Sequence, residues 1–287
     1  MGPKTILVPF ISEAASHAAL ELACGAAGMF DSHLDVLYLK PDARTMIPYV
    51  GEGMSGALVE DVLVTAERDA VDRSIGARAL FGAQLARHGL YEAQMPNGPG
   101  PSASWREVTG REDEVVAIAG RTADLIAVSR PVDAFDGPPS ALFETALFET
   151  GQAVLVAPPV PVAAFGRRIL IAWNGSPEAA GAVSAAMPFL HRADDVSILA
   201  VSGWSEGILS VEALARRLLW RGIGADVETM REFNGSIGEN VMAAAARRGA
   251  DMIVMGAYTH GRLRQMILGG VTRHVLATAP IPLLMSH

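Results

Sequence analysis

The chain repeats itself, and the repeat constrains its fold more than any other feature. Arg121-Thr122-Ala123-Asp124-Leu125-Ile126 falls on Arg248-Gly249-Ala250-Asp251-Met252-Ile253 at an offset of 248 − 121 = 127. Thr109 and Glu112, spaced as a capping box ahead of a helical pattern, fall on Ser236 and Glu239 at the same offset. With that offset kept, Val154-Leu155-Val156 falls on Ile281-Pro282-Leu283. The first apolar runs also match, Ile6-Leu7-Val8 against Ile169-Leu170-Ile171, but at 169 − 6 = 163. The difference, 163 − 127 = 36, places extra residues in the first copy between its first strand and Thr109. Two copies of one supersecondary unit are therefore expected.

Within each copy the pattern alternates between short apolar runs and helical periodicity. Thr5 to Phe10 reads as a buried strand, Ser12 as an N-cap, and Glu13 to about Met29 as an Ala-rich helix. Leu34 to Leu39 reads as the second strand. A glycine-rich stretch, Tyr49 to Gly56, precedes a long amphipathic helix from about Ala57 to His88, and Asn97 to Pro101 is loop chemistry. Near the end, Met252 to Met255 is too short for a helix and suits a strand buried on both faces. It stops at Gly256, and after a loop come Gly269-Gly270, a helical pattern to Ala279 and a strand from Ile281 to Met285. About five strands alternating with helices in each copy predict an α/β fold: an open, mostly parallel five-stranded sheet with helices on both faces, Rossmann-like, present twice. Pro158-Pro159-Val160-Pro161 is a stiff joint, giving domains at 1–157 and 165–287 with a linker at 158–164.

Charge narrows the partners. Twenty-three Lys plus Arg against 31 Asp plus Glu give a net charge of −8, which argues against a nucleic-acid backbone binder. No apolar segment has membrane-spanning length, and the start of the chain runs straight into a strand without a signal-peptide pattern. The single cysteine, Cys24, lies in an Ala/Leu-rich helical pattern and reads as a buried structural thiol, so a cytoplasmic protein is expected.

In open parallel sheets, ligands sit beyond the carboxyl ends of the strands where strand order reverses. In the second copy this gathers Ala172-Trp173-Asn174-Gly175-Ser176, Ala200-Val201-Ser202-Gly203 and the loop from Gly256 to Thr272. A helix opening on Gly269-Gly270 presents backbone N–H groups and the positive end of its dipole to an anion, with no Cβ in the way. A phosphate would fit there. Each residue also has a structural reading. Asn174-Gly175-Ser176-Pro177 makes a turn, an N-cap and a first-turn proline, Gly269-Gly270 permits close helix–strand packing, Thr272 is a capping hydroxyl, and Trp173 is packing. His260 lies in the loop beside Arg262 and Arg264, without a carboxylate or cysteine at ligand spacing, so no zinc site is expected. His274 is expected to be exposed.

The loop from Gly256 to Gly270 resembles the nucleotide-binding signature of the universal stress protein family: Gly, two residues, Gly, nine residues, then Gly and Ser or Thr. Here the pattern runs from Gly256 to Gly269, with Thr259 at the second glycine and Gly270 at the Ser/Thr. The resemblance implies the adenine nucleotide alpha hydrolase-like fold in both copies and an adenine nucleotide, ATP or AMP, in the second, with Mg only alongside ATP. By the same resemblance Asn174 takes the place of the family's Asp at the base and ribose end, and Val201 offers backbone to adenine. Ala172, Trp173, Met255 and Gly256 lie against the nucleoside, while Gly269, Gly270, Val271 and Thr272 cradle phosphate near Thr259. Family members commonly dimerise through the last strand, so the two copies are expected to pair internally in that way, or the chain to form a homodimer.

The first copy is expected to be structural. At the 127 offset Gly256 meets Ser129, and Gly269 and Gly270 meet Leu142 and Phe143, followed by Glu144, which would exclude phosphate. The resulting expectation is a non-enzymatic regulatory protein of the stress response. The alternatives are a tandem scaffold that binds partners but no nucleotide, and a weak ATP hydrolase, for which the chain has no Walker-type lysine and no Gly-x-Ser-x-Gly elbow.

Overall fold

The apolar runs become strands because each is buried on both faces. β1 (Thr5–Phe10) and β7 (Arg168–Trp173) open the two halves, and every residue of β1 after Thr5 is buried. The computed structural model describes residues 2–40, 56–95, 98–131, 141–162, 164–201, 211–230, 235–257 and 270–287. In the first half β1 is followed by α1 (Glu13–Phe30), β2 (His33–Lys40), α2 (Gly56–His88), β3 (Tyr91–Glu92), β4 (Ser102–Thr109), α3 (Glu112–Gly120), β5 (Leu125–Ser129), α4 (Ala141–Phe148) and β6 (Val154–Ala157). In the second, β7 leads to α5 (Pro177–Leu190), β8 (Asp195–Val201), α6 (Val211–Leu219), β9 (Asp226–Met230), α7 (Ile237–Arg248), β10 (Met252–Gly256), α8 (Gly270–Thr278) and β11 (Leu283–Ser286).

The eleven strands of the described residues form one sheet, ordered β3-β4-β2-β1-β5-β6-β11-β10-β7-β8-β9. Apart from the two-residue β3 at one edge, each half repeats the same order around its first strand. The joint is β6 against β11, an antiparallel pair with Leu284 opposite Leu155. Internal pairing through the last strands is thus realised, and it gives each of those strands a partner on both sides. Side chains alternate between two cores. One lies under α1, α2, α5 and α6 and holds Ile6, Val8, Phe10, Ile169, Ile171 and Phe189, and the other lies under α3, α4, α7 and α8 and holds Leu7, Ile126, Leu170, Ile253 and Leu276. The first core crosses between the halves. Phe189 stands edge-on to Phe30 at 4.8 Å and tilts against Phe165 at 6.1 Å. On the other face the Arg130 guanidinium donates to the Ala279 carbonyl at 3.0 Å.

The duplicated Asp124 and Asp251 share one task. Asp124 accepts from the backbone N–H of Lys4 and Thr5, while Asp251 accepts from Gly166, Arg167 and Arg168 at 2.9 to 3.0 Å. Each carboxylate ties down the chain entering the first strand of its half. Replacing Asp251 with Ala is expected to cost about 2 kcal/mol in denaturant unfolding, since charge-assisted bonds to amides are lost together, and Asp251→Asn is expected to cost less.

Three expectations need correction. Ser236 and Glu239 do form a reciprocal capping box, but Thr109 and Glu112 do not. Thr109 is the last residue of β4, held in register against Lys40, and Arg111 takes the N-cap position without a side-chain cap bond. The 127 offset also slips before the last strand. Ile126 pairs with Val154, whereas Ile253 pairs with Leu283, so the strand offset becomes 283 − 154 = 129. Pro282 lacks an N–H, and the strand starts only after it. His274 is not exposed but half-buried, its ring lying where a Cβ on Gly238 would come within 2.8 Å. Cys24 is buried as expected, and burial pushes its thiol up to about 12, so it is not a nucleophile at neutral pH.

Candidate functional site

In the second half the strand order β11-β10-β7-β8-β9 reverses between β7 and β10, and there the first turns of α5 and α8 leave the sheet on opposite faces. Asn174 begins the turn out of β7. Its side-chain oxygen accepts from the Ser176 N–H at 3.1 Å, Gly175 takes φ 76°, and Ser176 caps α5 by accepting from the Ala179 N–H at 3.1 Å, with Pro177 in the first turn. The turn, cap and proline reading is what the structure shows, and the Asn174 oxygen is committed to it.

Gly256 is required by packing. A Cβ there would lie 2.5 Å from the Ala179 nitrogen and 2.8 Å from the Glu178 carbonyl carbon, so the end of β10 runs directly beneath the first turn of α5. Gly270, the first residue of α8, differs. It is exposed, its φ is not positive, and a Cβ there would meet nothing within 4 Å among the described residues. Val271 is half-buried and Thr272 buried, both on the inner side of α8. Met255 is buried in the core under α7 and α8, and the half-buried Ala172 packs against that core. Val201 closes β8 opposite Met230. Thr259, Gly269, His260, Arg262 and Arg264 lie outside the described residues.

Trp173 faces the other core, with 8% of its surface exposed. Its indole N–H is buried and has no hydrogen-bond partner among the described residues, and the same holds for one carboxylate oxygen of Glu178 in the first turn of α5. An unpartnered buried polar atom is costly, so a polar partner at either position would be favourable. Glu178 went unnoticed in the sequence, where an acid in a helix's first turn reads as a dipole complement.

The first half shows the same place filled. Register sets Phe10 beside Tyr38 and, one copy on, Trp173 beside Ala200. Likewise Val36 pairs with Trp105 where Ile198 pairs with Val227. Phe10, Tyr38 and Trp105 therefore correspond to Trp173, Ala200 and Val227. Tyr38 stacks on Trp105 at 5.4 Å, Phe10 stands edge-on to both, and Arg78 lies 5.8 Å over Trp105. In α4, Leu142 and Phe143 are buried and Glu144 is half-buried. In the first half the rings of Phe10, Tyr38 and Trp105 pack together at the position that Trp173, Ala200 and Val227 take in the second. Among the described residues no group of three His, Cys, Asp or Glu could hold a metal ion, and no helix is long and apolar enough to cross a membrane.

The model of the Universal stress protein family matches residues 166–287. No curated protein matches the chain. Among solved structures, a universal stress protein from Archaeoglobus fulgidus DSM 4304 is 17% identical with a TM-score of 0.70, the match covering 98% of this chain and 97% of that one. A putative universal stress protein from Pseudomonas aeruginosa UCBPP-PA14 is 18% identical with a TM-score of 0.56, covering 98% and 92%. A functionally unknown protein from Pseudomonas aeruginosa PAO1 is 16% identical with a TM-score of 0.56, covering 98% and 92%. At these identities the structures share the fold across both halves.

Proposed function

Because residues 166–287 belong to the universal stress protein family and the first half repeats their fold, we propose that the second half binds an adenine nucleotide, ATP or AMP, and that the first half is structural. Binding at the carboxyl ends of β7, β8 and β10 would report the cell's energy or stress state by favouring one conformation or partner over another. One observation carries this reading: where the rings of Phe10 and Tyr38 meet in the first half, Trp173 stands beside Ala200 with its indole N–H buried and without a partner among the described residues. A planar base seated beside Ala200 would supply the missing acceptor, and Glu178 would accept from ribose hydroxyls. Gly270 would leave the start of α8 open to phosphate, with Mg accompanying ATP alone. We read the protein as a non-enzymatic, cytoplasmic regulator. A homodimer would have to use a surface other than the last strands, since β6 and β11 already cover one another.

The test is calorimetric titration of the intact protein with ATP and with AMP. The wild type is expected to bind, Ala200→Tyr to abolish binding by rebuilding the closed crevice, and Gly270→Val to weaken binding of ATP more than of AMP. Absence of binding by the wild type, or equal binding by both variants, would overturn the proposal. The commitment of the Asn174 oxygen to its own turn favours a second reading, a scaffold that takes no nucleotide. Native mass spectrometry of the purified protein separates the two by showing whether a nucleotide mass accompanies it.

A further inference from the structure

The turn that closes α6 carries a feature that the crevice does not use. α6 packs inward through Val211, Leu214 and Leu218, while Ala213, Arg216, Leu219, Trp220 and Arg221 face solvent. Trp220 is 86% exposed, the most exposed large apolar side chain among the described residues. It does not sit on a loose end. The Trp220 N–H donates to the Arg216 carbonyl, Arg221 and Ile223 donate to Leu218, Gly222 donates to Leu219, and Gly222 takes φ 75°, so the turn is hydrogen-bonded throughout. Arg217 is anchored to α5 through the Ser184 hydroxyl at 3.0 Å. Ala213, Arg216, Arg217, Trp220 and Arg221 line a groove of about 590 Å³.

None of Arg216, Arg217 and Arg221 forms an ion pair among the described residues. The acids of neighbouring β9 are already held, Asp226 by Arg248 and Glu228 by Arg247. In a chain of net charge −8, three guanidinium groups without an ion pair among the described residues surround a fixed, exposed indole, against one acid, Glu212, at the far end of the same helix, and form a local positive patch. Trp and Arg together are the side chains that most often carry binding energy at protein interfaces, the indole through its apolar area and the guanidinium through paired bonds to carboxylates. Because β8 and β9 run parallel, the end of α6 lies at the amino ends of the strands, at the pole opposite the nucleotide crevice.

We propose that this turn is a docking surface for a short acidic segment of a partner protein, with an apolar side chain of the segment seated on Trp220 and its carboxylates on Arg216, Arg217 and Arg221. A short segment suits the patch, which spans little more than one helical turn. The negative charge of the rest of the chain would repel an extended polyanion such as a nucleic acid or an anionic bilayer.

The experiment uses the full chain and four probes: a fluorescein-labelled peptide of Asp and Glu with one central Phe, the same peptide with Lys in place of the acids, a labelled polyuridine RNA, and vesicles containing phosphatidylserine. Anisotropy is expected to show binding of the acidic peptide alone, weakened by added salt. Trp220→Ala and the double variant Arg216→Glu/Arg221→Glu are each expected to reduce affinity about tenfold or more while leaving the thermal unfolding midpoint in place. Failure of the acidic peptide to bind, binding unchanged in both variants, or preferential binding of the RNA or the vesicles would each overturn the proposal. ATP titration of the same variants keeps this result separate from the crevice, since neither substitution touches it.

Discussion

Phe189→Ala is expected to lower the unfolding free energy by about 3–5 kcal/mol and to do so for both halves in one transition. Phe189 lies on α5 of the second half with 1% of its surface exposed, yet the ring it meets edge-on is Phe30, at the end of α1 in the first half. Phe165, just before β7, closes the contact from the side, and the Arg192 guanidinium lies 5.8 Å over the Phe30 ring. Truncation leaves a cavity where the core passes from one half to the other, above the β6–β11 joint. A buried cavity of that size cannot collapse without moving two helices that belong to different copies. Urea unfolding followed by circular dichroism and by tryptophan fluorescence is the measurement. Coincident curves, displaced together in the variant, are expected. Two separate transitions, with only the later half displaced, would show that the copies are stable on their own and merely share an edge.

Gly256→Val is expected to cost about 3 kcal/mol or more, and Gly270→Val to stay within about 0.5 kcal/mol of the wild type. The two glycines stand at either end of the same loop and read alike in the sequence. Their surroundings differ. The first atoms that a side chain at position 256 would strike are backbone atoms of α5, at 2.5 Å and 2.8 Å, and a helix backbone in its capped first turn cannot step aside as a flexible side chain could. A side chain at position 270 would enter open space among the described residues. Thermal unfolding of the two variants in parallel tests the contrast. Similar losses for both would mean that Gly270 is also a packing glycine, and the open start of α8 would lose its meaning.

Much of this was legible in one dimension because the physics involved is local or periodic. Strands buried on both faces leave unbroken apolar runs, so the six residues of β1 and the span of α1 from its Ser12 cap could be read directly. The capping box at Ser236 and Glu239 needs only three residues of spacing. The look-alike at Thr109 and Glu112 failed because strand pairing with Lys40 reaches further along β4 than propensity could show. The aromatic plug of the first half was missed for a similar reason. Phe10, Tyr38 and Trp105 are far apart in the chain, and nothing but sheet register brings their rings together.

The sequence by itself determined that there are two copies and that each builds a parallel sheet, since duplication and hydrophobic period survive as patterns along the chain. Tertiary structure alone decided that the copies share one continuous sheet, that Gly256 serves packing while Gly270 meets nothing among the described residues, and that three aromatic rings meet in the first half where Trp173 stands beside Ala200 in the second. Those outcomes depend on which atoms meet across strands and helices distant in sequence, and contact distances of a few ångströms are not written in residue order.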